Sequence, residues 1–317
     1  MIRTLYVYAF LLIVVVPTAI AQQDPQFSLY MYNPLYYNPA AAGSEGVSRI
    51  QLTHRTQYLG YQAIGSNDNG AQSTQLISYN MPLDNIKSGI GIYALNDKLG
   101  AVRNQAVQLS YAYRMTLKNG TLAIGVQAGL FSKGYNYGEL RPGEVGDPLI
   151  PTGTISQARP DFGAGIYYNT TDYWVGVSMN HINEATYNVG TDRSTNPLNR
   201  NMYLTAGYRL GLGYNIDVQP SILVQYTTPS QGNVTFNLTG TYDNRIWAGV
   251  GYRYQDAIMA TVGINLMRNN ALRVGYCLDI VTGRVKSPTS HELLVSYALP
   301  TIDARKKPLI RTPRFRY

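Results

Sequence analysis

Residues 121–133 read TLAIGVQAGLFSK. Leu122, Ile124, Val126, Ala128 and Leu130 fall on one face of an extended chain, and Gly125, Gln127 and Gly129 on the other. One apolar face and one polar or tiny face, repeating with period two, is the pattern of a β-strand with an apolar medium on one side only.

The pattern recurs along the chain. Further segments lie near 49–58, 72–81, 88–95, 107–113, 162–168, 173–179, 202–210, 216–226, 234–242, 246–254, 258–266, 272–280 and 291–299, with Pro220 an interruption in the ninth of the fourteen. Most approach the ~9–11 residues that a tilted strand needs to cross a bilayer. The second faces carry Arg49, Gln51, Thr53, Arg55, Thr205, Asn237, Arg253, Arg273, Asp279 and Glu292, or glycine. Breaks after even-numbered segments are short, as at 118–120 and 243–244, whereas several after odd-numbered ones are long, at 60–70, 134–160, 183–200 and 282–289. An even strand count, apolar-out and polar-in faces, and loops alternating in length predict a fourteen-stranded antiparallel transmembrane β-barrel. A soluble β-sandwich also alternates, but has no reason to alternate loop length.

Composition agrees. Only 14% of residues are charged, and the chain holds 28 tyrosines and 30 glycines. Low charge with abundant Tyr and Gly suits lipid-facing strands and aromatic girdles. The start, with Arg3, the apolar run 5–16 and Ala19-Ile20-Ala21, reads as a signal peptide over residues 1–21, too short to span a bilayer. No later run approaches the length of a membrane helix. The lone Cys277 is read as a small strand residue, so an exported chain here has no internal disulfide. Of the net charge of +8, most sits in the segment 300–317, which carries Arg305, Lys306, Lys307, Arg311, Arg314 and Arg316 against Asp303. A nearly neutral body argues against nucleic acid as its partner.

Residues 24–40, DPQFSLYMYNPLYYNPA, break the alternation. Proline is expected to keep this segment extended and out of any ladder, and its tyrosines bury ring area while keeping their hydroxyls wet. Residues 22–47 are therefore read as a periplasmic or plug segment that packs into the barrel mouth, forms an aromatic collar or docks on a partner. DPQFSLYMYNPLYYNPAAAG followed by HRTQYLGY at 54–61 resembles the start of the PorP/SprF family, outer-membrane proteins of the type IX secretion and gliding machinery. The closing RTPRFRY at 311–317 and the overall length agree with that resemblance. It implies a non-enzymatic outer-membrane component, with residues 48–299 as barrel, 300–317 as a basic periplasmic tail and both termini periplasmic. Implied partners, besides the lipid bilayer, are a secreted substrate or adhesin C-terminal domain and periplasmic type IX components. Phe27, Tyr30, Tyr32, Tyr36 and Tyr37, with Arg311, Arg314, Phe315, Arg316 and Tyr317, are the candidate partner contacts. The alternative is a porin or small-molecule transporter, since fourteen strands enclose a useful lumen.

No catalytic, cofactor or metal site is expected: no paired His or Cys stands at ligand spacing. His54, His181 and His291 share the apolar parity of their strands, which for His54 calls for a β-bulge or a rim position. Luminal arginines outnumber Asp279 and Glu292, so an anionic segment or an ion-pair network is expected inside. Gly89, Gly91, Gly125 and Gly129 are read chiefly as aids to sheet curvature and only secondarily as room for an inserted polypeptide.

Overall fold

The computed structural model describes residues 24–61, 71–139, 153–188, 196–228, 231–282 and 289–300. Fourteen antiparallel strands form a closed ring: β1 (Arg49–Leu59), β2 (Gln72–Leu83), β3 (Ser88–Leu99), β4 (Val102–Leu117), β5 (Gly120–Asn136), β6 (Thr154–Asn169) and β7 (Tyr173–Asn180); then β8 (Asn201–Tyr208, resumed at Leu210–Leu212), β9 (Ile216–Thr227), β10 (Gln231–Tyr242), β11 (Ile246–Arg253), β12 (Ala257–Leu266), β13 (Leu272–Val281) and β14 (Thr289–Ala298). Each pairs with its sequence neighbours, and β1 closes the ring on β14 through Arg49↔Ala298 to Thr56↔His291.

Side chains alternate across the wall as the sequence requires. Ile124 and Val126 are 50% and 57% exposed on the outside with no second sheet over them, while Ala123 and Gln127 are buried inside. An isolated sandwich would have covered that apolar face.

Three local features depart from the expected segments. Strands β4 to β6 run 16 to 17 residues, so both ends of the expected loop 134–160, at 134–136 and 154–160, are strand. β8 is interrupted at Arg209, where an unshifted register places Pro220 across from Tyr208 and Gln219 across from Arg209 (Gly207↔Ser221 before, Leu210↔Val218 after). Proline has no N–H to give the ladder, which leaves it one donor short at that point. In β1 the register with β14 shifts between Thr56 and Leu59, with Tyr58 at φ 57°. This bulge lies beyond His54 and does not turn it inward. His54 stays outside, in a cross-strand row with Gln75, Asn96 and Gln105, where Asn96 Nδ2 donates to Gln75 Oε1 at 2.6 Å. On the β2 side its polar neighbours explain an outward histidine, since there the apolar band ends at the row below, Leu52, Ile77, Ala94 and Val107, while on the β14 side it faces Leu293.

The longer connections, after β1, β5, β7 and β13, all lie at one end of the barrel. One of them folds back over the mouth: Thr186–Tyr187 pairs with Asn196–Pro197 in a small ribbon, and Tyr187 and Leu198 are buried.

Candidate functional site

The lumen is occupied by the chain's own residues 24–43. They are not extended, as expected from the prolines, but wound into three single turns: Tyr30–Tyr32, Pro34–Tyr37 and Pro39–Ala41. The repeated Asn-Pro explains two of them. Proline at the first helical position has the right φ and lacks only an N–H that would be orphaned anyway. Asn38 precedes such a turn as its cap, its Oδ1 accepting from Ala40 N at 2.9 Å.

Aromatic rings fill the space between segment and wall. Phe27, Tyr30, Tyr36 and Tyr37 form one buried cluster with Leu76, Tyr93, Phe131, Tyr203 and Leu223 of the wall and with Tyr187 and Leu198 of the ribbon over the mouth. Edge-on ring pairs run through it: Phe27–Tyr36 at 5.2 Å, Tyr36–Tyr93 at 5.5 Å and Tyr37–Tyr203 at 5.3 Å between centroids. Such pairs each add about 0.5–1.5 kcal/mol beyond area burial. Tyr32 lies between Trp247, 4.7 Å away, and the Arg273 guanidinium, 4.6 Å above its ring.

Two polar stations hold the segment. The first surrounds Ser28, which is wholly buried. Its Oγ donates to Asp279 Oδ2 at 2.8 Å and accepts from Arg55 Nη1 and Arg253 Nη2, each at 2.9 Å. Glu292 takes the backbone N–H groups of Ser28 and Leu29 at 2.7 and 3.0 Å, and Asn237 donates to the Ser28 carbonyl at 3.1 Å. Arg55 also pairs with Asp279 at 2.6 Å and Glu292 at 3.1 Å. Every polar group of one serine is thus matched, as burial demands. The expected luminal ion-pair network is this cluster of β1, β10, β11, β13 and β14.

The second station surrounds Asp24. Asn201 Nδ2 donates to it at 2.5 Å and Tyr203 Oη at 2.9 Å. His181 lies between two carboxylates, its Nε2 3.0 Å from Asp24 and its Nδ1 2.9 Å from Asp161. His181 is 4% exposed; its expected outward parity is overturned, because it follows the end of β7 with φ 58° and the left-handed backbone swings the ring into the lumen. From sequence, the whole segment before β1 belongs at the short-turn end. Asp24 instead lies among β6, β7 and β8 residues at the long-connection end, where its carboxylate meets buried donors. The chain then descends the lumen to reach Gly43, whose N–H donates to Asn80 at 2.6 Å near the short turn that follows β2.

The wall is contoured to the segment. A Cβ on Gly89 would strike the Ala42 backbone, one on Gly91 the Leu35 side chain and one on Gly125 the Ala40 backbone. At these three the room for an inserted polypeptide, the lesser expectation, is what the glycine provides. At Gly129 the atoms nearest a Cβ belong to Val107 and Gln108 of the wall.

The five N-terminal candidate contacts therefore touch this chain itself: Phe27, Tyr30, Tyr36 and Tyr37 are buried and Tyr32 nearly so. Arg311, Arg314, Phe315, Arg316 and Tyr317 lie outside the described residues, as do residues 1–21, the expected signal peptide. Asp24, Ser28 and Asp161 were not singled out from sequence, and His181 was expected on the outer face. Among the described residues no group of three or more His, Cys, Asp or Glu could hold a metal ion.

A family model described as type IX secretion system membrane protein PorP/SprF matches residues 19–297. The chain belongs to the PorP/SprF family. A search of curated proteins finds no match. Among solved structures, the PorP/SprF chain is similar to the Ralstonia pickettii toluene transporter TbuX, at 13% identity and a TM-score of 0.50 over 86% of this chain and 94% of that one. It is also similar to the Acinetobacter baumannii outer membrane protein Omp33, at 6% identity and a TM-score of 0.46 over 80% and 98%. The likeness to TbuX is one of fold, an outer-membrane β-barrel. No helix among the described residues of this PorP/SprF chain is long and apolar enough to cross a membrane; strands do the crossing.

Proposed function

We propose that this PorP/SprF chain is a non-enzymatic outer-membrane component of the type IX secretion and gliding machinery, which holds or helps export a surface protein such as an adhesin. One observation carries the preference over a small-molecule porin: the lumen is filled by residues 24–43, anchored at buried ionic stations and roofed by Tyr187 and Leu198. A barrel so filled is suited to presenting surfaces at its two ends. With short turns periplasmic, the long connections face outward toward a client, and the basic segment 300–317 emerges in the periplasm. Six positive charges there suit an acidic periplasmic component of the machinery or anionic headgroups.

The test is affinity capture of the full chain from detergent-solubilised outer membranes, followed by mass spectrometry. Co-purification of a secreted surface protein together with periplasmic type IX components is expected. Large, stable, ohmic conductance of the purified chain in planar bilayers, with no such partners, would favour the porin. Deleting residues 305–317 is expected to leave the barrel inserted while lowering adhesin display. Normal display would remove the tail from the reading.

A further inference from the structure

We propose that the lumen wall is a peptide-binding site and that residues 24–43 are its resident, separable ligand. The ligand class is a polypeptide with an aspartate four positions before a serine, followed by closely spaced tyrosines. This goes beyond the secretion role and does not depend on it.

Four observations carry it. First, the wall is complete without the segment: the fourteen strands hydrogen-bond in an unbroken ring, and the described segment contributes no strand to it. Second, the wall's charges at both stations pair with one another. Arg55 and Arg253 face Asp279 and Glu292, and His181 faces Asp161. Withdrawing the segment leaves no uncompensated cluster of one sign, the condition that would make withdrawal prohibitive.

Third, recognition is specific in the way of a ligand site. At Ser28 the wall satisfies the hydroxyl and both backbone polar groups at once. At Asp24 a carboxylate meets an imidazole, an amide and a phenol. The two stations grip opposite sides of the ring, β1, β13 and β14 against β6 to β8. Fourth, the tether is glycine-containing and open to solvent. Gly43 and Gly46 both have φ of 72°, and Glu45 and Gly46 between the segment and β1 are exposed.

Two measurements test this. In the intact full-length protein in detergent, hydrogen exchange is followed at the amides of Ser28 and Leu29 and at wall amides of β1 and β14. The segment's amides are expected to exchange together and at least 10-fold faster than those of the wall. Exchange of segment and wall at one common rate would overturn the proposal, because the segment would then leave only when the barrel unfolds. In the second, a site-specific protease sequence is inserted between Glu45 and Gly46 and cut after folding. The nicked fragment is expected to exchange with an excess of labelled synthetic peptide of residues 24–45. Asp24→Asn and Ser28→Ala peptides are expected to compete at least 10-fold more weakly. A fragment that never exchanges, or that is lost and not rebound by the wild-type peptide, refutes a binding site. Equal competition by all three peptides refutes recognition by the two stations.

Discussion

At His181 the alternation of β7 ends because the backbone turns left-handed, and that one dihedral decides whether an ionisable ring faces lipid or lumen. Period-two counting from Val175, Val177 and Met179 extrapolates it outward, so the station at Asp24 was not legible: no sequence signal marks where a strand's parity stops. The station at Ser28 was half legible. Arg55, Arg253, Asp279 and Glu292 declare themselves as inward charges on apolar strands, but the serine they grip is an ordinary residue in an aperiodic stretch. The Asp24–His181 pair makes docking of the segment pH-dependent. Burial opposes the charged imidazole, but the Asp24 charge and hydrogen bonds to Asp161 and Asp24 outweigh it and hold its pKa up at about 10. Burial also opposes the Asp24 carboxylate, and His181, with hydrogen bonds from Tyr203 and Asn201, brings its pKa below the ordinary value of 3.8. The part of the His181 pKa rise that comes from Asp24 is therefore linked to docking and is lost as pH rises through about 10, while the contribution of Asp24 is full above 3.8 and lost as pH falls. Protease clipping within residues 24–43, normalised to a free peptide, is expected to be slowest between about pH 4 and 6.5 and to accelerate toward pH 10. A flat profile would deny the pair this role. Asp24→Ala leaves His181 paired with Asp161 but the buried donors of Asn201 and Tyr203 unmatched, and is expected to weaken docking by about 1–3 kcal/mol, the cost of leaving buried donors unsatisfied.

Among the elements, the strands were readable because lipid on one side imposes a strict alternation on every one of them, and because an unbroken ring forces the count. Their ends were less so. β5 and β6 continue to Asn136 and from Thr154 through residues whose polarity reads as loop, since beyond the apolar band a strand no longer needs an apolar face. The lumen segment was legible only as something outside the sheet: Asn-Pro serves a helical turn as well as an extended arm, and aromatic rings serve a collar as well as a plug. Its imprint was nevertheless written in the wall, at glycines that curvature alone also explains. Gly125 separates the two accounts. A side chain there meets the Ala40 and Pro39 backbone, which cannot rotate away as a side chain can. Gly125→Val is expected to dislodge the segment without opening the barrel, since valine suits a strand. In gel assays the protein should keep the heat-modifiable mobility of a folded barrel, while protease reaches residues 24–43 at least tenfold faster than in wild type. Unchanged protection would mean that the wall yields there and that the glycine serves the sheet.

For the whole molecule, the segment is a brace across the barrel as well as a stopper within it. Ser28 ties it to the seam where the first and last strands meet, through Arg55 of β1, Asp279 of β13 and Glu292 of β14. Asp24 and Asn38 tie it to the far side, the latter donating to the Ile166 carbonyl of β6 at 2.9 Å. A ring held across its diameter resists ovalisation, and a ring so filled passes little. Both consequences depend on the same residues, so removing 24–43 should alter both. In planar bilayers the full-length protein is expected to stay near baseline current, and the deletion variant to open a pore lined by Arg55, Arg253, Asp279 and Glu292. Because the inward charges of the emptied lumen are mixed, Arg49, Arg55, Arg253, Arg273 and Lys133 against Asp97, Asp161, Asp279 and Glu292, the pore should show only weak preference between small cations and anions. The melting of the heat-modifiable band should also fall, as the aromatic cluster and both stations are lost. A deletion variant that conducts no better than wild type would mean that other residues close the lumen. One that conducts but melts unchanged would make the segment a stopper only, and would leave closure of β1 on β14 to the strands' own hydrogen bonds.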